Sequence, residues 1–256
     1  MNSQVDIIKT EFTKQAPKFN TYMANGSKEQ FNKNAVERMH LSGTENVLEV
    51  AAGTCAFGRM IAPHVAHITE LDVTEAMLAV GKAENEKANI MNADYVIGTA
   101  EQIPFSDDVF DVVVSRLAFH HFAKPEIVFA EMCRVLKANG QLVIADMIAR
   151  MEPYRRSADE YETLRDPSHI RCLTIDELDA LAEKFNMKVE HCSVVTIPMK
   201  LGAWMDLTDV LPDKRELITS AMQRDMNGGE KTGFEPYLVN GEIMFDHKWV
   251  LYMCRK

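Results

Sequence analysis

Four residues that can bind a polar ligand lie at the ends of three successive predicted strands: Glu49, Gly53, Asp72 and Thr99. Carboxylates and a hydroxyl form hydrogen bonds with a ligand, and a glycine lets the backbone approach it closely. The carboxyl ends of neighbouring parallel strands meet at one edge of a sheet, where open α/β sheets bind their ligands. The sequence therefore predicts a binding crevice that these four residues share.

The turn after the first strand, in VLEVAAGTCAFGRM (47–60), has too few glycines for a dinucleotide. The G-x-G-x-x-G fingerprint uses its glycines to bring the backbone close to a pyrophosphate, and the segment 51–56 supplies only Gly53. A ligand without phosphates needs only a tight turn. S-adenosylmethionine is such a ligand, so we expect it here instead of a nicotinamide or flavin cofactor.

Each of these residues has a role toward this ligand, and Glu49 and Asp72 also have a structural alternative. Glu49 would face the cationic amino group, directly or through water, and the alternative is an exposed carboxylate at a strand end. Asp72 would accept both ribose hydroxyls, and the alternative is an N-cap for the helix that begins near Thr74. Thr99 would accept a hydrogen bond from the adenine amine, while the Ala100 amide donates to a ring nitrogen.

Methyl transfer from a sulfonium depends mainly on alignment, so a dedicated catalytic residue is optional. His120 and His121 follow the fourth strand and are the candidates for a general base, because histidine titrates near neutral pH. The alternative is that one or both only pack or hydrogen-bond within the loop. His169 and Arg171, in DPSHIR, are candidates for holding the acceptor, and the alternative there is a stabilised turn.

Strand and helix patterns alternate through the middle of the chain, and most strand patterns are apolar on both sides. This predicts a doubly wound, mostly parallel α/β sheet. The predicted strands are 46–51, 67–72, 93–98, 110–115, 141–147 and 188–199, with a last strand near the end of the chain. The predicted helices between them are 56–62, 74–87, 125–136 and 213–226, with a capping box at Thr174-x-x-Glu177.

We interpret residues 1–256 as a single domain. Residues 1–43 would form N-terminal lid helices, 44–150 the cofactor-binding core, and 151–256 a substrate cap with the closing strands. The first segment is polar, and helical periodicity follows it near Phe31.

Composition limits the classes of partner. The formal net charge of −10 disfavours nucleic acid and anionic lipid, so we expect a small-molecule substrate. No run approaches the ~20 apolar residues of a membrane span, and the first residues do not resemble a signal peptide. Five scattered cysteines indicate a reducing cytoplasm. His64-x-x-His67 lacks further ligands, so we expect no metal site. We expect a monomer or a homodimer.

Four segments resemble the motifs of class I S-adenosylmethionine-dependent methyltransferases: VLEVAAGT, ELDVTEAML, GTAEQIPFSDDVFDVVVS and RVLKANGQLVIADM. GTAE, RLAFHHF, LRDPSHIR and the N-terminal FTKQAPKFN are similar to the UbiE/YcgJ-like group. The resemblance implies a Rossmann-like, seven-stranded sheet and methyl transfer to an O, N, S or C nucleophile of a small molecule, with S-adenosylhomocysteine as the product.

The resemblance also implies two sets of contact residues. The cofactor-binding set is Glu49, Ala51, Gly53, Asp72, Val73, Met77, Thr99, Ala100, Glu101 and Arg116. The substrate set is Phe19, Tyr22, His169 and Arg171.

The chain departs from the family pattern at several positions. Ala51 and Cys55 replace glycines of the first motif; we expect no left-handed backbone at Ala51, and Cys55 adds a side chain where backbone approaches closely. Thr99 replaces an aspartate, and Phe19 stands where a tyrosine is usual, so that Tyr22 would supply the hydroxyl. These departures favour one alternative function, a binding protein or pseudoenzyme without turnover.

Overall fold

The fold is built on an eight-stranded mixed sheet with the order β3-β2-β1-β4-β5-β8-β6, and the short β7 pairs with β8. The structure is a computed structural model and describes residues 3–23 and 26–256. The strands are β1 Asn46–Val50, β2 His67–Asp72, β3 Ala93–Ile97, β4 Phe110–Arg116, β5 Leu136–Met147, β6 Lys188–Lys200, β7 Tyr237–Val239 and β8 Glu242–Arg255. Strands β1 to β5 are parallel, and β8 runs antiparallel to β5 and β6.

Helices cover both faces of the sheet, and two clusters of buried hydrophobic side chains lie beneath them. The helices are α1 Gln4–Met23, α2 Gly26–Arg38, α3 Gly58–Ile61, α4 Glu75–Lys87, α5 Pro125–Val135, α6 Arg155–Arg165, α7 Ile175–Lys184, α8 Leu201–Leu207 and α9 Pro212–Met226. None of the helices in 3–23 or 26–256 is both long and apolar enough to cross a membrane.

The predicted doubly wound sheet is confirmed. From β1 the chain proceeds outward to β2 and β3 on one side, then returns to β4 and β5 on the other. The strand order therefore reverses between β1 and β4, and the crevice beyond their carboxyl ends is the expected binding position.

The sheet has one strand more than the predicted seven because a hairpin joins the short β7 to β8. Asn240 and Gly241 connect the two strands with φ angles of 51° and 83°. This is the backbone of a two-residue turn that Asn-Gly favours. The sequence therefore carried a signal for the extra strand in the form of this dipeptide.

Strand β5 begins at Leu136, five residues before its predicted start at 141. The pairing of β5 with β4 is interrupted by a register shift after Phe110, so the residues up to Gly140 bulge out of the ladder. Asn139 within this bulge has a φ of 63° and donates its amide to the Lys256 carbonyl at 3.0 Å. The last residue of the chain thus closes the bulge.

Two helices occupy the N-terminal region, as predicted, although the polar pattern before Phe31 concealed the first of them. Helix α1 packs against α4 and α8 and lies across the carboxyl edge of the sheet. The predicted capping box of α7 is confirmed, because Thr174 and Glu177 exchange side chain-to-backbone hydrogen bonds.

Candidate functional site

The loop after β1 is tightened by its own backbone and by Asp72. The amide of Ala52 donates to the Leu71 carbonyl at 3.0 Å, and the amide of Gly53 donates to Asp72 Oδ2 at 2.8 Å. Gly53 has a φ of 55°, which glycine adopts without strain. The loop therefore turns sharply beside the carboxylate at the end of β2.

The expectation about Ala51 was wrong, because Ala51 has a left-handed backbone with a φ of 58°. Cys55 is also left-handed, with a φ of 53°. Its side chain is fully buried against Gly81, where an added Cβ would lie only 2.4 Å from the Cys55 sulfur. Cys55 therefore fills a gap between loop and α4, and burial raises the pKa of its thiol.

Asp72 is not the N-cap of α4, which is Thr74. The Thr74 amide donates to Asp72 Oδ1 at 2.7 Å, while the Gly53 amide donates to the other oxygen. The buried carboxylate thus fixes the loop after β1 relative to the start of α4. Burial raises the pKa of Asp72, against the effect of these amides.

Glu49 and Glu70 form a buried pair of carboxyl groups on adjacent strands, in direct register. The Gly58 amide donates to Glu49 Oε2 at 2.7 Å, and a Cβ on Gly58 would lie 2.0 Å from Glu70 Oε1. Burial raises the pKa of both groups, to about 7 for Glu49, and Glu49 raises that of Glu70 further. Because the two carboxyl groups are hydrogen-bonded to each other and both have raised pKa values, we infer that they share one proton. We assign this proton to Glu70, which donates it in a hydrogen bond to Glu49. The sequence pattern did not reveal Glu70, because its place in a buried strand gave no sign of its partner.

A cavity of about 810 Å³ lies beyond the ends of β1, β2 and β4, and we call it the cofactor cavity. All ten residues of the predicted cofactor-binding set line it, together with Phe19 and His121. Phe12, the first residue of the segment FTKQAPKFN that resembles the family, also lines the cavity. Lining residues that were not predicted from the sequence include Val5 and Ile8 of α1 and Thr54, Ala56, Leu117, Ala118 and Phe122. The helical spacing of the apolar residues Val5, Ile8 and Phe12 was the feature of the sequence that could have revealed this wall.

Arg116, at the end of β4, lies in the wall of the cofactor cavity and is 7% exposed. Its Nε donates to Asn32 Oδ1 at 2.8 Å, whereas its Nη2 has no hydrogen-bond partner among the described residues. Its burial excludes a surface salt bridge at this position. An unpartnered guanidinium nitrogen is suited to an anionic group of a ligand.

A second cavity, of about 470 Å³, adjoins the first, and we call it the acceptor cavity. The two cavities share Phe12, Phe19, Leu117 and His121 in their walls. The other residues of the acceptor cavity come from α1, the loop after β4, β5, α6 with the residue after it, β6, α8 and β8: Gln15, Tyr22, Met23, His120, Met147, Arg165, Asp166, Met199, Trp204, Leu207, His247 and Trp249.

His120 is held by a carboxylate and faces only the acceptor cavity. Its Nδ1 lies 2.5 Å from Asp146 Oδ1, and Asp146 Oδ2 accepts hydrogen bonds from the amides of Ala118 and Phe119. Burial opposes protonation, but Asp146 outweighs it and raises the pKa of His120. This histidine is therefore a fixed, readily charged part of the loop.

His121 lies between the two cavities and has a defined tautomer. Ser168 Oγ donates its one proton to Asp166 Oδ1 at 2.5 Å. The Ser168 oxygen therefore accepts the hydrogen bond that joins it to His121, and His121 Nδ1 is the donor at 3.1 Å. The Nε2 of His121 is then the unprotonated nitrogen. Burial and the neighbouring His120 lower the pKa of His121 to about 3, which keeps the imidazole neutral at physiological pH.

The structure places two of the four predicted substrate residues in the cavity walls and two outside them. Phe19 lines both cavities and Tyr22 lines the acceptor cavity. His169 is buried with its Nε2 2.9 Å from Asp159, and Arg171 pairs with Glu177 at 2.8 Å; neither lines either cavity. Their loop supports the site through its backbone, because the amides of residues 170 and 171 donate to the His120 carbonyl.

Within 3–23 and 26–256, one group of side chains has metal-ligand spacing: Asp159, His169 and Cys172, whose ligand atoms lie within 4.8 Å of one another. The carboxylate of Asp159 already accepts hydrogen bonds from the His169 ring and the Cys172 amide. Burial raises the pKa of the Cys172 thiol, which disfavours the thiolate that a metal needs.

Comparisons with known proteins agree with this geometry. Residues 48–144 match the methyltransferase domain family. YcgJ of Bacillus subtilis, an uncharacterized methyltransferase, is 28% identical over 176 residues, which are 67% of this chain and 68% of YcgJ. The crystal structure of YcgJ superimposes with a TM-score of 0.82 at 24% identity, covering 89% of this chain and 98% of that one.

Two further relatives have similar sequences. YafE of Escherichia coli is 30% identical over 145 residues, 56% of this chain and 70% of YafE. A demethylmenaquinone methyltransferase of Listeria monocytogenes is 33% identical over 120 residues, 46% of this chain and 51% of the relative. The chain therefore belongs to the class I S-adenosylmethionine-dependent methyltransferases, in the group that includes YcgJ and the demethylmenaquinone methyltransferases.

Proposed function

We propose that the protein transfers a methyl group from S-adenosylmethionine to an O, N, S or C nucleophile of a small molecule. The observation that carries the proposal is the meeting of two cavities at His121. The cofactor belongs in the larger cavity and the methyl acceptor in the smaller one. When bound, S-adenosylmethionine supplies a methyl group that is already activated on a sulfonium leaving group.

The residues of the cofactor cavity fit this ligand. The unpartnered Nη2 of Arg116 would hold the cofactor carboxylate, and the Glu49 carboxylate would face its ammonium group. Asp72 would hold the ribose, and Thr99 with the Ala100 amide would contact the adenine. Cys55 does not line the cavity, so it leaves this space open.

We assign His121 as the histidine that contacts the acceptor and the other histidine, His120, as a supporting group. The neutral ring of His121 has Nδ1 fixed by Ser168, so the Nε2 lone pair can accept a hydrogen bond from the acceptor and orient it toward the methyl carbon. A pKa of about 3 makes His121 a weak base, so its contribution is to the alignment of the reactants, which is worth ~7–11 kcal/mol in total.

We further infer that residues 1–43, 44–150 and 151–256 work as a lid, core and cap of one domain. The Gln4 side chain donates to the carbonyls of His121 and Ser168, at 3.0 and 2.8 Å. The Gln15 side chain donates to Asp166 at 3.1 Å. The N-terminal helix is thus bonded both to the loop after β4 and to the cap.

The first experiment is incubation with methyl-labelled S-adenosylmethionine and an extract of small molecules, followed by mass spectrometry. We expect a labelled small molecule, and its fragmentation identifies the methylated atom. Calorimetry with S-adenosylhomocysteine is run on the same preparation. Tight cofactor binding without any labelled product would instead support a binding protein without turnover, and absence of binding would refute the cofactor assignment.

The role of His121 is tested with His121→Ala once an acceptor is known. We expect kcat/KM for the acceptor to fall by about 10–100-fold, because the contact that aligns the acceptor is lost. This fall should exceed any loss of affinity for S-adenosylhomocysteine, which is measured in parallel because His121 also lines the cofactor cavity. His64→Ala is the matched control, since His64 is exposed and lies outside both cavities. An unchanged kcat/KM in His121→Ala would exclude this contact.

A further inference from the structure

Glu70 is a buried acid in the middle of the sheet, and the proposed mechanism gives it no role. Its carboxyl group lies beside that of Glu49, on the adjacent strand and in direct register. We propose that Glu70 is a positioning residue for cofactor binding, which donates its proton in a hydrogen bond to Glu49 and so holds Glu49 as a carboxylate for the cofactor ammonium group. The inference rests on the proposed function in one respect, which is that the cofactor cavity binds S-adenosylmethionine.

The surroundings of Glu70 favour the protonated form. The residue is 0% exposed, and neither of its side-chain oxygens receives a hydrogen bond from a donor in the described part of the chain. A buried carboxylate without donors is strongly unfavourable, whereas a protonated carboxyl group is itself a donor. The Glu49 carboxylate beside it is the available acceptor. Burial and the charge of Glu49 raise the pKa of Glu70, in agreement with this assignment.

The two carboxyl groups meet at Gly58. The Gly58 amide donates to Glu49 Oε2 at 2.7 Å. A Cβ at residue 58 would lie only 2.7 Å from the same oxygen and would collide with Glu70 Oε1, so a glycine here allows the pair to form. With Gly58 and Glu70 as donors, Glu49 accepts two hydrogen bonds, and these favour its ionised form.

Glu49 alone of the pair lines the cofactor cavity, so Glu70 acts on the cofactor through Glu49. Burial raises the pKa of Glu49 to about 7, against the opposing effects of the Glu70 hydrogen bond and the positive charge of Arg116. Glu49 is therefore ionised in only part of the molecules at neutral pH. A hydrogen bond from Glu70 increases that part, and the ammonium group of the cofactor then meets a carboxylate.

The other titratable side chains that act on the pair come from the loop after β1, α3, β2, β3 and β4: Cys55, Arg59, Asp72, Tyr95 and Arg116. Burial raises the pKa of the Cys55 thiol and the Tyr95 phenol, so both stay neutral at physiological pH. Asp72 accepts hydrogen bonds from two backbone amides, which favour its ionised form. Glu49 is therefore the group of this set that we expect to titrate near neutral pH.

The test measures the affinity of the full chain for S-adenosylhomocysteine by calorimetry between about pH 6 and pH 8. This ligand carries the same ammonium group and needs no methyl acceptor. A group with a pKa of about 7 changes its ionised fraction roughly tenfold over this interval. We expect the affinity to be about 3–10-fold weaker at the lower pH, with release of about half a proton on binding near pH 7. Titrations in phosphate and Tris, whose ionisation heats differ, measure the released protons.

Two substitutions separate the hydrogen bond of Glu70 from its packing. Glu70→Leu removes the donor and keeps a side chain of similar size, so Glu49 should ionise about 1–2 pH units higher. We expect affinity for S-adenosylhomocysteine to fall by about 3–10-fold near pH 7.5 and to recover at higher pH. Glu70→Gln supplies an amide donor and should restore most of the affinity that Glu70→Leu loses. Glu126→Gln, on the exposed side of α5, is the control and should leave the pH dependence unchanged.

Thermal unfolding shows whether each variant is folded. The proposal is overturned if the affinity of the unmodified protein does not depend on pH, if Glu70→Leu binds as the unmodified protein does, or if Glu70→Gln is as weak as Glu70→Leu. Should Glu70→Leu fail to fold, proton release decides the matter. Release of about half a proton in both the unmodified protein and Glu70→Gln supports the proposal, and no release in either overturns it.

The outcomes also separate this inference from the proposed function. Binding of S-adenosylhomocysteine with the same affinity at every pH would refute the role of Glu70 and leave the cofactor assignment intact. Absence of binding at every pH would refute both. The expected pH dependence, in a protein that never produces a labelled product, would refute methyl transfer and leave the role of Glu70 intact.

Discussion

At the scale of single residues, the loop after β1 combines two side chains with a backbone that glycine would adopt more easily. Ala51 and Cys55 have φ angles of 58° and 53°. A left-handed backbone costs a residue with a Cβ roughly 1–2 kcal/mol. Cys55 offsets this cost by filling the space beside Gly81, whereas Ala51 is only partly buried.

Ala51→Gly should therefore stabilise the protein. We expect the free energy of unfolding to rise by about 0.5–1 kcal/mol, because relief of the strained backbone exceeds the added flexibility of the unfolded chain. Denaturant unfolding followed by circular dichroism measures this change. Ala52→Gly is the control and should destabilise by about 0.5–1 kcal/mol, since Ala52 is buried and has no positive φ. Equal destabilisation by both substitutions would contradict the assignment of strain to Ala51.

The residue scale also explains which parts of the site were predictable from sequence. All ten predicted cofactor positions line one cavity. Their positions follow from the backbone at the strand ends and in the turns after them, so they do not depend on side-chain rotamers. His121 and His169 could not be told apart in this way. One faces both cavities and the other turns toward Asp159, and only tertiary packing decides between these orientations.

At the scale of elements, the sheet was predictable because its buried strands are apolar throughout, while α1 was partly concealed. Val5, Ile8 and Phe12 of this helix line the cofactor cavity, and its remaining surface is mostly polar. A helix that covers a cavity needs fewer apolar residues than one that covers a core, so its periodicity is weak. Helix α1 therefore forms part of the wall of the site as well as part of the fold.

Helix α1 should respond to the cofactor more than other helices do. A bound cofactor would fill the space beneath Val5, Ile8 and Phe12, so we expect saturating S-adenosylhomocysteine to slow amide hydrogen exchange throughout Gln4–Met23. Helix α7 is the internal control, because its residues line neither cavity, and its exchange should be unchanged. Hydrogen exchange with mass spectrometry measures both helices in one experiment. Equal rates in α1 with and without ligand would show that this helix does not close over the cofactor.

At the scale of the whole molecule, buried groups with opposite pKa shifts set the pH range of stability. The pKa of His121 falls from 6.5 to about 3 in the folded protein, so its contribution to stability is lost as the pH falls through this interval. The pKa of Glu162 falls from 4.5 to about 2 because His247 and Arg165 outweigh its burial, and this adds to the loss of stability in acid.

Glu49 and Glu70 act in the other direction, since burial raises both of their pKa values above 4.5. Their contribution is fully present below about pH 4.5 and is lost as the pH rises, through about 7 for Glu49. Above about pH 4.5 the loss from these two carboxyl groups outweighs the gain from His121, so stability should be greatest near pH 4.5 and decline on both sides.

Glu70→Gln should remove much of the alkaline decline and leave the acid side unchanged. The glutamine amide can donate to Glu49 as the protonated Glu70 does, and it has no proton to lose as the pH rises. We expect Tm at about pH 8.5 to increase by several degrees, since 1 kcal/mol corresponds to roughly 2–4 °C for a chain of this size, and to change little at about pH 5. Differential scanning calorimetry at both pH values measures the effect. Glu126→Gln is the matched control, because Glu126 is exposed on α5 and should shift Tm equally at the two pH values. A decrease in Tm for Glu70→Gln at alkaline pH would mean that Glu70 is ionised in the folded protein and that the pair does not share a proton.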